Sequence, residues 1–289
     1  MGNEKKKSIQ YLEYCFVGIA LILSFYIFVS NLTSQPHWYD ETVEYYYSKY
    51  MFGLVPDGNN YTNMYQRITS TFQPPLYNIL MFVWLNIADS EWWFRFFGVI
   101  AGMISVLGVY KTVREKCNYL FSSATVVLLA CTKKYVYYLQ ECSEYCLMLA
   151  ILPWVAYFWI RAEKKKDVSS YIRFMIVGLL ASYSQYGALL VVFSFTSLSF
   201  ISLLNYKDRD YLKSVSIINI FSLLLGYLPL WMFFANKQIQ NQKAFFTDTM
   251  MKMPKEKISE SMFGAYNLRS REIIPRLWYK SLTVTTANP

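Results

Sequence analysis

The stretch Trp38 to Tyr47, W-Y-D-E-T-V-E-Y-Y-Y, sets adjacent carboxylates, Asp40 and Glu41, among aromatic rings. Successive side chains on a helix point about 100° apart, so the two acids cannot face one direction. One can turn into a cleft as a general base while the other satisfies free N–H groups at a helix start. Aromatic residues at positions 38, 39, 45, 46, 47 and 50 would lay the following helix on a membrane interface, where a base could meet an acceptor arriving from water. A second motif, T-F-Q-P-P-L-Y-N-I-L-M-F-V-W, is followed by E-W-W-F-R-F-F-G-V-I-A-G. Pro74-Pro75 sets an extended approach to a short helix. Arg95 then enters the next apolar run near its outer end, either snorkelling to headgroups or pairing with a lipid phosphate or with Asp40. A third motif is K-K-Y-V-Y-Y-L-Q-E-C-S-E-Y-C-L-M-L at Lys133 to Leu149. Glu141 and Glu144 are three apart and are expected on one helix face, with Gln140 and Tyr145 beside them. Carboxylates at membrane depth are costly and point to function. Lys133 and Lys134 either bind a phosphate or neutralise those acids.

Other chemistries lack their signatures. There is no Gly-rich phosphate loop, no G-x-S-x-G elbow and no Cys/His metal spacing. His37 is the single histidine, placed in an aromatic patch, and it cannot build a zinc site without three other ligands. No cofactor is implied, and a divalent metal has no support in the residues. The five cysteines, Cys15, Cys117, Cys131, Cys142 and Cys146, lie in or beside apolar segments, as small packing residues do.

The elements that must position these motifs follow from composition. Of 289 residues 55% are hydrophobic and 16% charged, too much apolar surface for a compact soluble domain. Mean hydropathy is only +0.21 because 26 Tyr, 21 Phe and 8 Trp carry polar handles on apolar rings. The net charge of +9 does not imply a nucleic-acid partner, since the basic residues fall in short clusters between long apolar runs. The fold class is therefore all-α, a polytopic membrane protein surrounded by membrane lipids. Runs long enough to span are Tyr11 to Asn31, Trp92 to Val113, Asn118 to Thr132 (short, with a possible extension toward Tyr138), Glu144 to Ile160, Tyr171 to Gly187, Ala188 to Asn205 and Val215 to Ala235. The first follows Lys5, Lys6 and Lys7 and reads as an uncleaved signal anchor.

Four basic clusters, at the N-terminus, Lys111 to Lys116, Arg161 to Arg173 and Lys207 to Lys213, hold half of the 28 basic residues. All four can be cytoplasmic only if Pro74 to Ala88 does not cross, so it is read as re-entrant or interfacial. The expectation is about seven transmembrane helices. Residues 1–10 form a cytoplasmic N-terminus, 11–235 the transmembrane module and 236–289 an external tail. Within the module, 32–91 is an external segment with juxtamembrane helices. That segment carries Asp40, Glu41, Glu44, Asp57, Asp89 and Glu91 against only Lys49 and Arg67.

In order and spacing these motifs resemble the GT-C glycosyltransferases, most nearly the protein O-mannosyltransferases and lipid A aminoarabinose transferases. The resemblance rests on D-E-x-x-x-Y (Asp40, Glu41, Tyr45), P-P-L-Y (Pro74 to Tyr77) with Trp84, and R-F-x-x-x-x-G (Arg95, Phe96, Gly98 or Gly102). It continues in Y-x-Q-E-x-x-x-Y-x-L (Tyr138, Gln140, Glu141, Tyr145, Leu147) and in S-Y-S-Q-Y-G-A-L-L at Ser182 to Leu190, which contains Gln185. It implies a membrane enzyme of the cell envelope that passes a sugar from a polyprenyl-phosphate donor to a glycan, lipid or protein acceptor on the extracytoplasmic side, with inversion. Asp40, with Glu41 beside it, takes the base's place. Arg95, Lys133 and Lys134 are the expected donor-phosphate ligands, and Tyr45, Gln140, Glu141, Tyr145 and Gln185 are expected to line the substrate cleft.

Two positions depart from the pattern: Ser143 stands where relatives often carry Arg, and Gln73 where they often carry His, which leaves the donor phosphate to Lys133 or Lys134. Relatives are often longer, so a truncated or inactive relative that binds lipid-linked sugar is the alternative. A transporter or flippase is a third reading, although no inverted repeat is visible.

Overall fold

The computed structural model describes residues 2–34, 39–51, 64–204 and 209–244; the side chains of residues 2–7, 39, 40, 43, 64, 67, 204 and 244 fall outside that description. His37, Trp38 and the tail beyond residue 244 therefore lie outside the described residues. Every regular element among those described is helical: α1 (Gly2–Val29), α2 (Tyr39–Lys49), α3 (Met64–Ser70), α4 (Leu76–Leu85), α5 (Glu91–Arg114), α6 (Tyr119–Ala130), α7 (Lys133–Gln140), α8 (Glu144–Lys165), α9 (Val168–Ser184), α10 (Ala188–Leu204) and α11 (Arg209–Ser222). Past α11 the chain runs on through two wide π-helical stretches, Leu223–Tyr227 and Leu230–Ala235, into α12 (Asn236–Ala244). Pro229 separates the two stretches and has no N–H to give to the preceding turn.

Among the described residues four helices are long and apolar enough to cross a bilayer: Ser8–Val29, Glu91–Arg114, Glu144–Lys165 and the composite Arg209–Lys243. The expected spans at 118–132, 171–187 and 188–205 appear as the shorter apolar helices Tyr119–Ala130, Val168–Ser184 and Ala188–Leu203. The expected extension toward Tyr138 does not occur: α6 stops at Ala130, and Lys133 opens a separate helix. The run at 74–88 contains only the 10-residue α4, roughly 15 Å long and half of a hydrocarbon core.

Local chemistry explains the boundaries. Ser90, Asn118 and Asp167 cap α5, α6 and α9 by accepting hydrogen bonds from the backbone N–H groups of Trp93, Phe121 and Ser170. Helix α1 ends where Asn31 turns left-handed, at φ 59°. Pro153 inside α8 has no N–H, so the carbonyl of Leu149 loses its usual partner; Ser105 Oγ donates to that carbonyl across the α5–α8 interface at 2.6 Å. Gly98 is needed where α5 meets α7, because a Cβ there would collide with the Leu139 carbonyl.

The bundle has two chemically different ends. At one, Glu13 accepts from Arg114 Nε at 3.0 Å and from Tyr110 Oη at 2.7 Å, while Glu115 pairs with Lys164 at 2.9 Å and Lys166 reaches Ser202 at 2.7 Å. These contacts gather the start of α1 and the ends of α5, α8 and α10, and with them three basic clusters. The opposite end holds the close of α1, the start of α5, and α2, α4 and α7. Trp84 and Trp93 stack there with centroids 4.1 Å apart, and each indole donates to the other's carbonyl, which fixes α4 against α5.

Candidate active site

The D-E pair opens α2, and its second member turns inward. Glu41 is 1% exposed. Its Oε2 accepts from Arg95 Nη2 at 3.1 Å and its Oε1 from the Cys142 backbone N–H at 3.1 Å. The side chain of Asp40 lies outside the described residues; its backbone stands one position before Glu41 in the first turn of α2. Arg95 is 4% exposed, and its Nη1 donates to the Leu32 carbonyl at 2.9 Å. Among the described residues its Nε has no hydrogen-bond partner, and it sits 3.9 Å from Glu91 Oε1. Arg95 thus pairs with Glu41, a partner the sequence did not single out. Two buried ions must hold one another, because desolvation costs each several kcal/mol.

A cavity of about 260 Å³ opens at this pair, lined by Glu41, Arg95, Lys133, Gln140 and Glu141 together with Asn31, Cys131, Tyr137 and apolar side chains. Five of the expected site residues, drawn from α2, α5, α7 and the turn after it, therefore share one wall. Lys133 is exposed at the first residue of α7. The cap residue Thr132 makes no side-chain bond to the start of α7; its hydroxyl donates back to Leu128 at 3.0 Å. Gln140, the last residue of α7, donates from Nε2 to the carbonyls of Phe28 at 3.0 Å and Ser30 at 2.9 Å.

Glu141 and Glu144 do not share a helix face. Glu141 ends α7 in extended geometry at ψ 113°, and Glu144 starts α8 and is buried. Cys142, in the turn between them, is also buried. Its Sγ donates to the Phe94 carbonyl at 3.0 Å and accepts from Tyr77 Oη at 3.4 Å, which gives the Tyr of P-P-L-Y its place. Burial pushes the Cys142 thiol well up, so it stays protonated as a donor.

The remaining expected residues lie off the cavity wall. Lys134 is exposed beside it. Tyr45 is buried, edge-on to Phe94 at 5.4 Å, with its hydroxyl on Asp89. Tyr145 packs against Tyr138 at 5.7 Å, and Gln185 ends α9 with its side chain accepting from the Gly187 N–H.

Sequence reasoning missed two polar braces. Asn78 of α4 donates to Glu44 at 2.7 Å and to Ser48 at 3.2 Å, which ties α4 to α2. Gln238 of α12, 3% exposed, donates to the carbonyls of Ile68 and Gln73 and accepts from Tyr186 Oη at 2.7 Å. It borders a larger, mostly apolar cavity of about 730 Å³ that also meets Phe72, Tyr227, Trp231 and Lys243.

The sequence model of the dolichyl-phosphate-mannose-protein mannosyltransferase family matches residues 72–233, more than half of the chain, and the chain belongs to that family. Family and helices together make it an integral membrane glycosyltransferase of the mannosyltransferase kind, which uses a lipid-linked sugar donor and an acceptor. The match takes in Arg95, Lys133, Lys134, Gln140, Glu141, Tyr145 and Gln185; Asp40, Glu41 and Tyr45 precede it. No curated protein matches the chain.

Proposed function

We propose that this member of the family transfers a sugar from a polyprenyl-phosphate donor to an acceptor hydroxyl on the extracytoplasmic face, with inversion at the anomeric carbon. The observation that carries the reading is the shared cavity: a buried Glu41–Arg95 pair beside Asp40, with Lys133, Gln140 and Glu141 on the same wall. Asp40 acts as general base. It takes the acceptor's hydroxyl proton as that oxygen attacks C1 of the sugar, the bond from C1 to the phosphate oxygen breaks, and its electron pair leaves with the polyprenyl phosphate.

The leaving phosphate is met at the start of α7. Two lysines at a helix N-terminus are the reverse of what the helix dipole favours, and an anion seated there removes the conflict. No ion pair among the described residues involves Lys133 or Lys134, which supports leaving both ammonium groups to a ligand. The N-terminus and the basic end of the bundle are cytoplasmic, and the cavity end is outside.

The test is transfer of labelled sugar from polyprenyl-phosphate mannose by membranes containing the protein. Consumption of the donor is expected, with a product of inverted configuration by NMR. Asp40→Asn membranes that transfer at the native rate would overturn the base assignment. A native protein that binds the donor without consuming it would mark an inactive relative.

A further inference from the structure

The chain between Phe28 and Glu41, which carries Asp40, is fastened at both ends by side chains of other elements. Arg95 reaches from the Leu32 carbonyl at one end to the Glu41 carboxylate at the other. Gln140 holds the close of α1 through the carbonyls of Phe28 and Ser30, and two residues further on the Cys142 N–H holds Glu41. The last carbonyls of a helix have no partners within it, so this grip satisfies acceptors that α1 cannot satisfy itself. Although Gln140 lines the cavity, its donor nitrogen is committed to these two backbone oxygens.

We propose that Gln140 is a positioning residue: it sets the location of Asp40 by clamping the end of α1, and takes no proton and binds no phosphate itself. The proposal rests on Asp40 being the base. Helix α7 then bears the donor-side cation, Lys133, at its first residue and the brace for the acceptor side at its last. Misplacement of a reacting group by about 1 Å costs on the order of 10²-fold in rate. A brace of this kind therefore shows in kcat and leaves donor binding intact.

The experiment compares native protein with Gln140→Ala and Gln140→Glu in lipid nanodiscs, using polyprenyl-phosphate mannose as donor. The glutamate fills the same volume but has no N–H to give, and it carries the test alone if the alanine variant does not fold. The expected result is a kcat lower by about 10²-fold with donor KM within about twofold of native, together with faster hydrogen exchange at residues 28–34. Native kcat in Gln140→Glu, a raised donor KM at unchanged kcat, or unchanged exchange at 28–34 would each overturn the proposal. Failure of the native protein to transfer sugar would sink the proposed function instead, and the exchange comparison would still decide whether Gln140 clamps α1.

Discussion

Glu41 and Asp40 are neighbours of the same charge, and the proposed function makes different demands on them. Glu41 is spent on Arg95 and the Cys142 amide. Removing one partner of a buried pair costs about 3–5 kcal/mol, so Glu41→Gln should lower the unfolding temperature markedly in a thermal-shift measurement. Asp40→Asn should leave that temperature alone while transfer falls by about 10²- to 10⁴-fold, the usual worth of a general base. Equal loss of stability in both variants would contradict this division. The sequence showed that the two acids must diverge, since that follows from helical spacing alone. It did not show which one turns inward, because the phase of a helix is set by what packs on it. Here that is Arg95, 54 residues away in the chain. Gln238 was illegible for the same reason: a polar residue past an apolar run reads as solvated, and its acceptors lie 165 and 170 residues back.

At the scale of elements, close approach and satisfied caps decide the geometry. Gly98→Ala would push α7 away from α5, because the obstacle is the backbone carbonyl of Leu139, which cannot rotate aside. Overpacking of this kind costs about 1–3 kcal/mol, and since α7 carries Lys133 and Gln140, activity should fall further than stability. Ser105→Ala should cost about 1–3 kcal/mol by leaving the Leu149 carbonyl unsatisfied. In a Pro153→Ala background the restored N–H can serve that carbonyl, so the penalty should shrink; a double-mutant cycle that gives no coupling would refute the account.

The cap of α9 adds a pH test. Hydrogen bonds from the hydroxyl and N–H of Ser170 hold the Asp167 carboxyl below its usual value of 3.8. Its stabilisation is therefore complete above that value and is lost below it, as pH falls on through the lower native-state value. Asp167→Asn, which still caps, should flatten the acid limb of a melting-temperature profile. The helices themselves were largely legible from apolar runs and capping residues. The break at Glu141 was not, because E-C-S-E reads equally well as continuous helix, and the turn there is imposed by long-range contacts to Glu41 and Phe94.

For the whole molecule, the chain supplies its own reporters of topology. Charge clusters in the sequence predict that the bundle has a basic end. The ion pairs that join α1 to α5 and α5 to α8 bring three of those clusters to one end, away from the cavity. Free thiols mark both ends: Cys117 follows the Lys111 to Lys116 cluster and its carbonyl accepts from Arg114, while Cys131 is exposed on the cavity wall. If the proposed orientation holds, a membrane-impermeant maleimide applied to intact cells should label Cys131 and spare Cys117. After disruption of the membrane Cys117 should react too, whereas buried Cys142 and Cys146 should not. Labelling belongs in a Cys15→Ser background, since Cys15 is also exposed. A bulky adduct at Cys131 stands on the same wall as Lys133, so it should block donor consumption, and bound polyprenyl-phosphate sugar should in turn slow the labelling. Labelling of Cys117 from outside would reverse the topology, and an adduct on Cys131 with native transfer would move the donor site elsewhere.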